Sequence, residues 1–321
     1  MNLDILHIHA EFNLPFPSEV SIVRTVHVHT PYCPSGSRYL NRWEKRCDRA
    51  YSLGGCLWGH LFDHCGSVRP QKLLAEFQRV RLEMESLPQI LTIANSEFVR
   101  DQMLRSGYPA DKVQTLLCPA PAAKAYVLPP AEGTPHFLFL GRIAPEKGWG
   151  WLLKSLSCVK IPVHLDIAGS GNEQQNRAIQ VLAERLGLMD RVTFHGWINP
   201  QQAMRLLQQT RALIFPSIWH EPAGLVTLEA AAMGRAVIAS QVGGIPEYGN
   251  RLGNVILVEA SDQQGLTERI EHLAQDWQLA SNLGYRGYQN AQQHFSIVQH
   301  EQQLMQLYQR AIAEWQSDKK G

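Results

Sequence analysis

The chain of 321 residues carries 30 basic and 29 acidic side chains for a formal net charge of +1, with 45% apolar and 18% charged residues. That composition is of a folded globular chain long enough for two domains, and it excludes both a disordered chain and one built to bind nucleic acid. No apolar run is long enough to span a bilayer, the first residues are too polar for a secretory leader, and six cysteines in so long a chain do not make a disulfide scaffold. A reducing, cytoplasmic setting is therefore expected.

Short β-branched runs alternate with longer helical patterns, which predicts an α/β protein with parallel sheets covered by helices. In the first half, strands are expected at Asp4–His9, Ile22–His29, Ile90–Ala94 and Val113–Cys118. Between the second and third lies a loop rich in Cys, Gly and His, then a helix from Gln71 to Leu87. Arg69, Lys72, Arg79 and Arg81 make that helix basic on one side, read as a solvated face, with an anionic membrane surface or lipid-linked acceptor as the alternative. Pro119, Pro121, Pro129, Pro130 and Pro135 follow; proline fixes φ and removes donors, so this stretch is expected to be an interdomain linker.

In the second half, strands are expected at Phe137–Gly141, Val163–Ala168, Val192–His195, Ala212–Pro216, Ala236–Ser240 and Val255–Val258. Helices are expected near Trp149–Leu156, at Glu173–Leu186, Pro200–Gln209 and Leu225–Met233, and on to the C-terminus. Ile179, Leu182, Ala183 and Leu186 share one helical face. The pattern is that of a doubly wound domain, whose ligands sit at the carboxyl ends of the strands.

Every candidate ligand group of this half follows a strand. Gly141-Arg142-Ile143-Ala144-Pro145-Glu146-Lys147-Gly148 places two cations in one loop, where arginine can grip a phosphate bidentately and lysine adds a mobile charge. After the strand ending at Pro216, Glu221-Pro222-Ala223-Gly224-Leu225 opens a helix containing Glu229. Pro222 suits a first helical turn, and Gly224 would let a ligand approach the backbone. The N–H groups of Ala223, Gly224 and Leu225 are then expected to face an anion, most simply a phosphate. Glu221 and Glu229 lie about two helical turns apart and could reach different parts of one extended ligand.

These segments, with Ala168-Gly169-Ser170-Gly171, Val192-Thr193-Phe194-His195-Gly196 and Gly243-Gly244-Ile245-Pro246-Glu247, resemble family 4 of the retaining glycosyltransferases in order, spacing and strand placement. The resemblance implies the GT-B fold, two Rossmann-like domains facing across a cleft. It also implies roles. Arg142 and Lys147 would bind the donor diphosphate, Glu221 the transferred sugar, Glu229 the ribose, and the backbone at Gly196–Trp197 the base. The implied reaction moves a hexose from a nucleotide-sugar donor to a glycan, lipid-linked or small-molecule acceptor, without a catalytic metal. His27, six residues before Cys33-Pro34, matches a histidine that family members carry near the reacting sugar.

Two domains and a returning helix follow: 1–130 on the acceptor side, 131–296 for donor binding, and a helix over 297–321, after Phe295-Ser296, expected to return to the N-terminal domain. Asp4–His9 resembles a middle strand of the family's first domain, so that domain is expected to be incomplete, with an open sheet edge. A late start site, a split gene with a partner chain and a degenerate remnant remain open. So does the reading of the chain as a non-catalytic nucleotide-sugar binding module. Finally, Cys33, Cys47, Cys56 and Cys65 cluster with His60 and His64 in the loop 33–66. A structural zinc or iron, disulfides and free thiols all fit that spacing. Cys118 and Cys158 are expected to be ordinary buried residues.

Overall fold

The computed structural model describes residues 3–9, 19–86, 89–122 and 125–319. The chain divides into two compact units, Met1–Cys118 with Val298–Gly321, and Pro119–Ile297.

In unit 1 the strands β1 (Ile5–Ile8) and β2 (Ser21–Val26) precede a small antiparallel hairpin, β3 (Tyr39–Leu40) and β4 (Lys45–Arg46). Helices α1 (Leu53–Leu61) and α2 (Pro70–Ser86), strand β5 (Leu91–Ala94), helix α3 (Glu97–Arg105) and strand β6 (Val113–Thr115) follow. The hairpin, α1 and α3 were not expected from the sequence: the first two have strands or apolar runs too short to show a period. The main sheet is parallel in the order β1-β2-β5-β6, with β1 as a terminal strand. Leu304, Leu307, Tyr308 and Ala311, one stripe of the C-terminal helix (Ile297–Asp318), cover Ile5, Val23, Leu91, Ile93 and Leu116. Burying each such leucine contributes about 1.5–3 kcal/mol. Lys112 Nζ and Glu314 Oε2, 2.7 Å apart, fasten the same helix to the body.

On helix α2, Lys72 and Arg81 are exposed, as a solvated face would have it, and Arg79 is half-buried. Arg79 donates to the carbonyls of Thr30 and, at 2.8 Å, of Pro34, while Arg81 pairs with Glu85 at 2.7 Å. Arg24 on β2 and Glu83 on α2 form a bidentate pair with both side chains under 5% exposed. That pair fixes the angle of helix on sheet; opening it would strand a buried charge. Leu87, the expected end of this helix, lies outside the described residues.

Among the described residues, unit 2 has six parallel strands: β7 (His136–Leu140), β8 (His164–Ala168), β9 (Val192–Gly196), β10 (Ala212–Phe215), β11 (Ala236–Ser240) and β12 (Val255–Val258). Helices α4 (Trp149–Cys158), α5 (Glu173–Arg185), α6 (Pro200–Gln209), α7 (Val226–Ala232), α8 (Ile245–Leu252), α9 (Gln263–Gln275) and α10 (Trp277–His294) cover both faces. The order β12-β11-β10-β7-β8-β9 makes it doubly wound, and the reversal falls between β7 and β10. The sheet reads as continuous apolar runs because both faces are covered; Phe137, Leu138, Leu165, Leu213, Ile214, Val237 and Ile238 are all at most 1% exposed. Asn172 with Gln175, and Asn199 with Gln202, form capping boxes that start α5 and α6.

The proline-rich stretch after Cys118 belongs to unit 2 and is bound to it. Arg235 Nη1 donates to Val127 O at 2.7 Å, Trp277 Nε1 to Pro129 O at 3.0 Å, and Arg211 Nε to Pro130 O at 3.1 Å. The Tyr126 ring packs against Tyr285 and Tyr288. Proline removes donors from the strap but leaves its carbonyls, and three side chains of the domain use them. Arg235 is fully buried, which pulls its guanidinium down to about 10. Cys158, by contrast, is exposed, and accepts from Gln263 Nε2 at 3.2 Å.

Candidate active site

Four loops leave the carboxyl ends of β7, β8, β10 and β11, and hydrogen bonds join them into one floor. Gly141 N–H donates to Ala168 O at 3.0 Å and Ile143 N–H to Ser170 O at 3.1 Å. Ile218 N–H donates to Glu146 O at 2.9 Å, and Gly244 N–H to Glu221 O at 2.8 Å. Two glycines permit this contact. A Cβ on Gly148 would lie 1.7 Å from Pro216 O, and one on Gly243 would lie 2.1 Å from Glu221 O. Both also hold positive φ, +72° and +56°, where side chains are disfavoured.

On this floor Lys147 Nζ lies 2.6 Å from Glu221 Oε1, and Ser217 Oγ donates to the same oxygen. The two side chains of the ion pair are 14% and 8% exposed. Lysine has three donors, and the bond to Oε1 uses one. The ammonium also stands 4.9 Å above the Trp219 ring, so its cation faces an aromatic wall. Arg142 is 65% exposed and bonds Glu146 at 3.2 Å, an arrangement that leaves its guanidinium at the rim. The structure thus brings Lys147, Glu221 and Ser217 into contact and sets Arg142 at the edge of the same loop.

The segment after Glu221 differs from expectation. Pro222 lies outside the helix, and α7 begins at Val226 with Leu225 at its cap. A Cβ on Gly224 would meet Ile245 Cγ1 at 2.9 Å, so packing against α8 accounts for this glycine and ligand approach is not needed to explain it. With only seven residues in α7, the aligned dipole behind Ala223, Gly224 and Leu225 is short, and the weight of any anion binding moves to the cations. Glu229 is exposed on α7, although partial burial of its surroundings raises its carboxyl above the ordinary value. Gly196 ends β9 and its carbonyl accepts from Gly169 N–H at 2.8 Å, while Trp197 is 74% exposed.

One cluster was missed from the sequence. His136, His164 and Asp166 place ligand atoms within 4.8 Å of one another. His136 and His164 begin neighbouring strands in register; alternation in His164-Leu165-Asp166 is the signal that could have revealed it. The Asp166 carboxylate already bonds His136 Nδ1 and His195 Nε2, each at 2.8 Å.

In unit 1, His27 follows β2 and is exposed, with its Nε2 3.0 Å from His9 Nδ1. Burial, then the nearby His9, lowers its pKa. His7 bonds Tyr308 Oη at 2.6 Å and Thr25 Oγ1 at 2.8 Å, and burial, with His9, His27 and His300 adding, lowers it to about 4. The four loop cysteines, Cys33, Cys47, Cys56 and Cys65, line a single cavity with His60, and none of the six cysteines forms a disulfide. Burial pushes the Cys65 thiol up to about 12, with Cys33 and Cys47 adding to the shift. Cys47 and Cys56 are raised likewise, burial first.

The sequence profile of the family described as glycosyl transferases group 1 matches residues 124–290, just over half of the chain. An alpha-maltose-1-phosphate synthase of Mycobacterium tuberculosis is 30% identical over 189 residues, 56% of this chain and 49% of that protein. Sucrose-phosphate synthase from Thermosynechococcus elongatus superposes with a TM-score of 0.70 at 24% identity, covering 92% of this chain and 69% of the other. Anabaena HepE in complex with UDP-glucose gives 0.64 at 19% identity over 93% and 72%. These likenesses show the fold, GT-B with Rossmann-like units. The chain spans about half the length, or less, of the first curated relatives it matches.

Proposed function

Because this chain belongs to the glycosyl transferases group 1 family, we propose that it is a retaining family 4 glycosyltransferase that moves a hexose from a nucleotide-sugar donor to a glycan, glycolipid or small-molecule acceptor. The observation that carries the reading is the Lys147–Glu221 ion pair, formed at the strand reversal where doubly wound domains bind ligands. A nucleotide-sugar ligand is supported further by the complexes of HepE with UDP and with UDP-glucose.

In this reading Lys147 and Arg142 take the diphosphate. Arg142, held only by an exposed pair to Glu146, can swing from the rim at small cost. Charge builds on the leaving diphosphate as the anomeric bond breaks, and the two cations stabilise it there. That is the role a divalent metal would otherwise fill, so none is assigned at the diphosphate. Glu221, oriented by Ser217 and Lys147, holds hydroxyls of the sugar. Glu229 accepts from the ribose, the backbone at Gly196–Trp197 lines the base, and the N–H groups of Ala223, Gly224 and Leu225 add weaker contacts to the anion. The acceptor hydroxyl attacks from the face the diphosphate leaves; the bonding electrons go with the diphosphate, whose oxygen takes the acceptor's proton. No protein nucleophile is needed. His27 is assigned to the acceptor side near the reacting sugar.

The matched profile lies wholly within unit 2, which keeps a second reading: a module or subunit that binds a nucleotide sugar without transferring it. One experiment separates the two. Calorimetry with UDP and UDP-glucose reports binding, and NMR of products from an acceptor panel reports transfer and anomeric configuration. Binding with an α-linked product from an α-linked donor is expected. Binding alone supports the second reading, an inverted product removes the retaining assignment, and no nucleotide binding by the folded protein overturns both.

A further inference from the structure

We propose that the loop between Cys33 and Cys65 is a structural metal site, in which one zinc-class divalent cation is held by His60 Nε2 and by three thiolates from Cys33, Cys47, Cys56 and Cys65. The four sulfurs come from four separate places: the turn after β2, the end of β4, helix α1 and the turn after α1. They converge on the cavity that His60 also lines.

His60 is the second, independent observation. It is fully buried, and its Nδ1 lies 3.0 Å from the carbonyl of Ser67, which can only accept. Nδ1 therefore carries the proton, and Nε2 presents a bare lone pair. That nitrogen is buried and has no hydrogen-bond partner among the described residues. A ring fixed by a backbone carbonyl on one nitrogen, with the other left open, is how metal-ligating histidines are oriented. Gly66 fits the same purpose, since a Cβ there would come within 2.2 Å of the His60 ring and displace it.

The electrostatics agree. Arg38 is 3% exposed, and its described hydrogen bonds go to the carbonyls of Cys47 at 2.7 Å and Arg49 at 3.2 Å. A guanidinium buried against neutral thiols and carbonyls lacks a counter-charge; three thiolates on a divalent cation supply net negative charge beside it. Backbone strain gathers here as well. Arg38, Glu44 and His64 hold positive φ of 46°, 48° and 55°, three of the four described non-glycine residues that do.

The donors are spread more widely than the His136–His164–Asp166 group, whose atoms lie within 4.8 Å. Sulfurs around a tetrahedral zinc stand about 3.8 Å apart, from bonds of about 2.3 Å. Binding must then draw the loop inward, and each ligating thiol releases its proton to solvent, three per ion, while His60 releases none.

The test begins with the full chain purified from zinc-supplemented cells, its metal content read by mass spectrometry. The metal is then stripped and replaced with Co2+. A stoichiometric metal, three protons released per Co2+, the ligand-field bands of tetrahedral cobalt and a thiolate-to-cobalt charge-transfer band are expected, with a higher unfolding temperature. His60→Gln is expected to weaken Co2+ binding at least tenfold. Folded wild-type protein that takes up Co2+ without a charge-transfer band overturns the proposal, as do stable disulfides among these cysteines in purified protein. Four protons per ion, or a His60→Gln chain that binds as wild type does, overturns the assignment of His60. If the variant does not fold, the wild-type proton count and spectrum still decide.

Discussion

Lys147 Nζ and Glu221 Oε1 are 2.6 Å apart although 74 residues separate them in the chain. The distance follows from topology. Lys147 closes the loop after β7 and Glu221 lies in the loop after β10, and these strands are neighbours only because the winding reverses between them. The ion pair is mostly buried, so each partner holds the other's charge against desolvation. Replacing Lys147 by Met should lower transfer by about 10²–10³-fold, the usual loss when one stabilising group is removed from a developing anion. The double variant Lys147→Met, Glu221→Gln should be more stable than the sum of the single changes implies, because neither leaves a buried charge unpaired. Additive unfolding free energies in the four-member cycle would contradict this coupling.

Gly243→Ala tests the floor beneath the site. The new Cβ would meet the Glu221 carbonyl at 2.1 Å in a backbone with φ of +56°. The strained conformation costs about 1–3 kcal/mol, and relief requires moving Glu221. Transfer should therefore collapse, while Gly133→Ala, which bears a like strain at φ of +78° but whose Cβ meets nothing within 4 Å, leaves it largely unchanged. Equal activity in the two variants would show that the Glu221 contact is immaterial.

Acid should weaken unit 1 through its histidines. His7 titrates near 4 in the folded chain against 6.5 when unfolded, with burial as the main cause, and His27 shifts in the same direction. Between those values the unfolded chain binds the extra proton, so stability is complete above pH 6.5 and is lost as pH falls toward about 4. Allowing for the partial exposure of His7, the loss is on the order of 1–2 kcal/mol. Unfolding midpoints at pH 7.5 and 5.0 should differ less in His7→Gln than in wild type. Parallel shifts in both would remove His7 as the cause.

Much of unit 2 could be read in advance: the apolar runs of parallel strands give Ala236–Ser240 and Val255–Val258, and the proline in the first turn marks helix Pro200–Gln209, each matching residue for residue. Unit 1 was less legible. Its hairpin has two-residue strands, α1 contains three glycines (Gly54, Gly55 and Gly59), and both are held by the packing of the cysteine loop and not by local propensity. The boundary between the units does fall at the start of the proline-rich stretch, but proline content describes what the strap cannot donate and is silent on what Arg211, Arg235 and Trp277 donate to it.

The amino-acid order by itself determined which groups stand at strand ends, because the alternation of strand and helix places every such loop at one edge of a sheet. Only the tertiary structure decided which of those groups touch. It put Lys147 on Glu221 while leaving Arg142 at the rim, kept Pro222 out of α7, and gathered four cysteines and His60 around one cavity. Contacts between distant segments depend on strand order and on which backbones can approach, and neither is written in local periodicity.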